Sequence, residues 1–161
     1  MVSKRKQKTV SSSTPNEITG LPETLPSGTI ATLFESGRSL ALAISESLTI
    51  YQLFLNSDCS TAREPACYTL PGDACAIVES TFGLLIAAEC SGRSALLLLQ
   101  DCEFITILEL PGKITQLAVA GVQAYAITLE ECDRRVRLVR INLRQRSIVA
   151  ERILDHAPMK L

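Results

Sequence analysis

The residues with the most chemistry to offer are six cysteines, one histidine and a run of arginines. Zinc sites are built from close pairs of ligands. Here Cys59, Cys67, Cys75, Cys90, Cys102 and Cys132 lie at least eight positions apart, and the lone histidine, His156, stands almost at the end of the chain. That scatter predicts no metal site. A nucleophile also needs a base beside it, and His156 lies past the last apolar segment, so a Cys–His or Ser–His pair is not expected. Neither G-x-x-x-x-G-K-[ST] nor G-x-G-x-x-G occurs, so no phosphate-cradling loop is expected. The reading is therefore no catalytic residues, no cofactor and no small-molecule substrate. The first seventeen residues lack the apolar centre of a secretory signal. The cysteines are accordingly expected to be reduced thiols, several of them buried, with Cys75 packing as a small apolar group.

The charged residues are segregated. Lys4, Arg5, Lys6 and Lys8 give the first eight residues a charge of +4; residues 9–128 sum to −8; in residues 129–152 seven arginines oppose four carboxylates. The basic start fits a nuclear-import tail or a loose nucleic-acid contact, and equally a solubilising tail. Glu130, Glu131 and Asp133 beside Arg134 and Arg135 read as a solvated, self-neutralised turn rather than a cation site. In "DRRVRLVRINLRQR" Arg135 and Arg137 share a strand face with Val139 and Ile141, while Arg140 shares the other with Val136 and Leu138. Arg134, Arg135, Arg137 and Arg140 have two readings: charges guarding an edge strand against aggregation, or a contact with an anionic partner such as RNA or an acidic protein.

The elements that must position these side chains follow from a repeat. "TLPSG", "TLPGD" and "ELPGK" place Pro26, Pro71 and Pro111 at intervals of 45 and 40 residues. After each comes a train of apolar segments five to nine residues long, separated by Ser-Gly, Asp-Cys or Arg-rich turns: the grammar of strands. In the middle unit "ACAIVES", "LLIAAE", "SALLLLQ" and "FITILELP" make four. Proline cannot donate to a ladder, so Leu-Pro-Gly should end the fourth strand of a unit and let the chain turn into the next. The near-unbroken apolar letters of the middle strands require burial on both faces. Residues 1–20 read as a disordered basic and polar tail, and the longest uncharged apolar run, Ser94 to Gln100, is far too short to span a bilayer. No membrane association is expected.

A 40–45-residue period of four antiparallel strands is the mark of a β-propeller blade. The expectation is an all-β chain forming a partial or split propeller: residues 25–161 as three four-stranded antiparallel blades at about 28–70, 72–110 and 112–155. "GLLIAAECSGRSALLLLQ" and "QAYAITLEECDRRVRLVRI" resemble the central hairpin of WD-repeat blades, although Tyr51-Gln52, Leu99-Gln100 and Arg140-Ile141 stand where that family has Trp-Asp, and Gly72-Asp73 and Gly112-Lys113 where it has Gly-His. Three blades do not close a ring, so a longer gene product, a partner or a different closure must complete the structure. The resemblance implies a non-catalytic interaction scaffold or complex subunit, with protein partners, in the nucleus, the cytoplasm or both. A narrower similarity leads to the alternative. Ala88-Glu89-Cys90-Ser91-Gly92-Arg93 and Cys132 to Leu138 resemble two hairpins of the non-catalytic propeller subunit of tRNA (guanine-N7) methyltransferase, which implies a role bracing a catalytic partner on tRNA.

Overall fold

The computed structural model describes residues 24–35 and 37–154. The basic tail, His156 and the end of the chain lie outside these residues. Twelve strands and no helix are found among them. The first sheet joins β1 (Ile30–Phe34), β2 (Ser39–Ile44), β3 (Thr49–Phe54) and β4 (Ala66–Thr69). The second joins β5 (Asp73–Ser80), β6 (Gly83–Cys90), β7 (Arg93–Gln100) and β8 (Glu103–Pro111). The third joins β9 (Lys113–Ala120), β10 (Gln123–Glu130), β11 (Arg135–Asn142) and β12 (Ser147–Leu154). Within each sheet the spatial order is the sequence order and every pairing is antiparallel. The first strands of successive sheets, β1, β5 and β9, run side by side.

The sheets stack face on face, and the middle one is covered on both sides. Leu84 to Ala88 of β6 are all buried, with alternate side chains going to opposite neighbours as the pleat requires. Leu84, Ile86 and Ala88 meet Phe34, Ala41, Ala43 and Ile50 of the first sheet. Leu85 and Ala87 join Leu96 and Leu98 against Ala124, Ala126, Val139 and Ile141 of the third. Alanines on the second strands (Ala41, Ala87, Ala124 and Ala126, each 0% exposed) let the sheets come close, and branched side chains on the third strands fill the space between. On its far side the first sheet gathers Leu42, Ile44, Tyr51 and Leu53 into a third buried cluster.

The Leu-Pro-Gly repeat proves to be three devices in one. Leu70 and Leu110 are buried, each in the cluster between its own sheet and a neighbour. Proline ends the ladder, as at the last residue of β8. Glycine is needed because the connection presses on the second strand of the sheet it enters. A β-carbon on Gly72 would overlap the carbonyl oxygen of Glu89, and one on Gly112 would sit 2.6 Å from that of Leu129. The first copy lacks two of these features: Leu25 is exposed and a β-carbon on Gly28 would meet nothing.

Candidate interaction surfaces

The arginines are divided by the pleat of β11. This strand lies between β10 and β12, so its arginines guard no edge; the edge is β12, almost wholly exposed. Register pairs Thr128 with Arg137 and Val139 with Glu151. Glu130 and Glu151 therefore flank Arg137 diagonally on the face turned toward the middle sheet. Arg137 Nη2 lies 2.7 Å from Glu130 Oε1, and its other terminal nitrogen donates to Glu151. The Glu151 hydrogen bond first, and the nearby Glu130 charge after it, hold the guanidinium above its usual range against the opposing effect of burial. Arg137 is thus neutralised within the fold. Arg135 is 3.2 Å from Asp133, whose carboxylate also accepts from its backbone N–H. Arg134 occupies the turn with φ of 53°. Arg140 lies on the opposite face with Tyr125, its register partner. Four arginines adjacent in sequence are therefore spread over a turn and two sides of a sheet.

That opposite face ends the stack. Tyr125, Ile127, Leu129, Val136 and Leu138 are only half-buried there, whereas the corresponding positions of the middle sheet are covered. Gln116, Ala118, Tyr125, Ile127 and Leu138 border a shallow recess on it. On the other face, the one turned toward the middle sheet, Ile148 and Ile153 of β12, register partners of Ile141 and Arg137, are exposed at the edge.

The acidic turn brings Glu130, Cys132 and Asp133 together, with ligand atoms within 4.8 Å of one another. Two of the three are committed elsewhere: Glu130 to Arg137 and Asp133 to Arg135.

Five cysteines are exposed and only Cys75 is half-buried, which corrects the expectation that several would be buried. The others sit at turns, on the thin β4 or at strand ends, where they face solvent. Cys75 lies at a bulge in β5, and burial pushes its thiol above the usual range, with the Lys113 charge opposing. Because thiolate is the reactive form, alkylation at about pH 8 should modify the other five quickly and Cys75 last, its rate climbing only at higher pH. Mass spectrometry over time checks this; equal rates at all six thiols would refute it.

One feature was invisible in the sequence: a cleft of about 450 Å³ between the first and second sheets. It opens where the β1–β2, β5–β6 and β7–β8 turns gather. Phe34, Phe54, Tyr68 and Phe82 line it, together with Glu35, Glu79, Asp101 and Arg63. Glu79 accepts the Glu35 N–H at 2.8 Å, tying the two sheets together at this end.

Known structures show the same stacking. A protein described as a 6-phosphogluconolactonase from Bacteroides fragilis superposes with a TM-score of 0.55, at 10% identity, over 81% of this chain and 43% of its own. The N-terminal domain of Nup159 superposes with a TM-score of 0.53, at 14% identity, over 81% of this chain and 34% of its own. Both neighbours are propellers. The fold is a split β-propeller. Its three sheets are blade-like units whose first strands lie side by side, and it spans less than half the length of either neighbouring propeller. No protein-family description matches the chain, and no curated protein does.

Proposed function

We propose that this split propeller is a non-catalytic interaction module, a scaffold or subunit that works inside a larger complex. The observation that carries the reading is the half-covered outer face of the third sheet, where Tyr125, Ile127 and Leu138 border a shallow recess. Its counterparts on the middle sheet are buried against another blade. A contiguous apolar face of this kind marks a place where another protein packs. The WD-type character rests on the hairpin resemblance, and the nuclear part of a nuclear or cytoplasmic location on Lys4, Arg5, Lys6 and Lys8 as an import tail. The test is the size of the protein in extracts of its own cells. We expect it to elute well above its 17.5 kDa, and Leu138→Asp to release it. Elution of the unaltered chain as a free monomer would overturn the reading.

The arginines give this module a second, separable contact. Arg137 is held by two carboxylates and Arg135 by Asp133, so Arg134 and Arg140 are the ones left to meet an anionic partner. If that partner is RNA, as the methyltransferase-subunit alternative requires, Arg134→Glu with Arg140→Glu should weaken binding to a tRNA probe and flatten its salt dependence by roughly one unit of slope per lost phosphate contact. An unchanged salt profile would remove RNA from the reading.

A further inference from the structure

The aromatic side chains of this chain are few, four Phe and three Tyr, and they are not spread evenly. Phe34, Phe54, Tyr68 and Phe82 all line the cleft between the first two sheets. Phe104 stands behind Tyr68, edge to face at 5.7 Å. The cleft floor is apolar and well supported: Phe34, Leu84 and Leu99 are buried, and Gln52, also buried, donates to Ser39 Oγ at 3.4 Å. Carboxylates of Glu35, Glu79 and Asp101 line the same space. The first two sheets as a whole are acidic, since residues 24–112 hold ten carboxylates and three arginines, two of which, Arg38 and Arg63, lie at the cleft and its adjoining recess.

The chain itself shows what such a place accepts. Arg63, carried on the irregular connection between β3 and β4, lays its guanidinium 3.5 Å from the centroid of the Phe54 ring, a cation–π contact. Burial first, and then the Cys102 thiol, raise the Tyr68 phenol, while the Arg63 charge acts the other way. Arg38 borders the adjoining recess with Glu35 and Arg63, and its Nε donates to the Glu35 carbonyl at 3.4 Å.

We propose that the cleft docks a basic side chain, arginine or lysine, presented by an extended segment of a partner protein. The cation lies against Tyr68, with the Glu79 and Asp101 carboxylates at its edge, while Arg63 occupies the Phe54 end of the same cleft and competes for it. The inference rests on the interaction-module reading and gives it a ligand class. The net negative charge of the first two sheets and the three lining carboxylates steer a basic segment toward the opening.

The probes are short Gly-Ser peptides with a central arginine, lysine or glutamate, titrated into the isotope-labelled full chain and followed by NMR. The arginine and lysine peptides should produce saturable shifts at Phe54, Tyr68, Phe82 and Asp101, and the glutamate peptide none. Glu79→Gln with Asp101→Asn should weaken that binding about tenfold or more, and added salt should weaken it in the parent chain. The double variant is chosen to fold: glutamine still accepts the Glu35 N–H, and asparagine tolerates the left-handed backbone at residue 101, where φ is 50°. Arg63→Ala should strengthen binding by freeing the Phe54 ring. Absence of saturable shifts, equal shifts from the glutamate peptide, or a double variant that binds like the parent would each overturn the proposal. A chain that fails these titrations yet still elutes in a complex released by Leu138→Asp rules out the cleft alone. Saturable peptide binding by a chain that elutes free from cell extracts rules out only the outer-face reading.

Discussion

Alanine in place of Gly112 is expected to destabilise the protein by about 3 kcal/mol or more, through a clash with backbone together with left-handed strain. The added β-carbon would sit 2.6 Å from the Leu129 carbonyl oxygen and 2.8 Å from its carbon, in a backbone with φ of +79°. Neither neighbour is a flexible side-chain end; both belong to β10, the second strand of the third sheet. Relief requires the whole connection to move off that strand, loosening Leu110 and Ile114, which flank Gly112 and are buried at 1% and 0% exposure. Gly28→Ala is the control. Its φ of +85° carries the same backbone penalty but its surroundings are open, so the loss there should be about 1–2 kcal/mol. Urea denaturation of both variants measures the difference. Equal midpoints would show that only backbone conformation matters and that the close approach does not.

Truncating the middle sheet should be as costly, and on either side. Leu85 and Ile86 are adjacent in β6 and both 0% exposed, yet they belong to different interfaces: Leu85 to the one with the third sheet, Ile86 to the one with the first. Each cut to alanine should cost about 2–5 kcal/mol, the range for large cavities in packed cores. Ile153→Ala, by contrast, trims a side chain that is 51% exposed on the edge strand and should change stability by less than about 0.5 kcal/mol. Hydrogen exchange separates the two core variants. Leu85→Ala should raise exchange chiefly in β9 to β11, and Ile86→Ala chiefly in β1 to β3. Uniform loss of protection in both would mean that the sheets do not unfold separately.

Much of the architecture was legible because it is local. Strand pairs are sequence neighbours, so period-two patterning and the Leu-Pro interval sufficed to group β1–β4, β5–β8 and β9–β12. The double burial of β6 was readable from "LLIAAE" because five apolar residues in a row leave no side for solvent. What depended on contacts between sheets was not legible. The glycines of the repeat look like turn residues until Glu89 and Leu129 are seen against them. Arg137 looks like a free cation until register brings Glu130 and Glu151 to its flanks. The inner position of the arginine strand, by contrast, was legible, since "SIVAERIL" already supplies a fourth strand outside it. The cleft is assembled from segments separated by up to 68 positions, Phe34 to Cys102. A lone aromatic at a strand end gives no sign that three others will meet it.

The order of strands in each sheet also says how this protein can be made. Among the described residues no strand pairs with another sheet's strand, so none of these three sheets waits for a later strand to complete it. A ribosome delivers about 5–20 residues each second, and each unit of some 40 residues therefore has its full set of partners within seconds of emerging. Hairpins close in about 1–10 μs, far faster than the next unit arrives. Each sheet then offers its finished flank as a template for the one that follows, and the nascent protein grows by accretion.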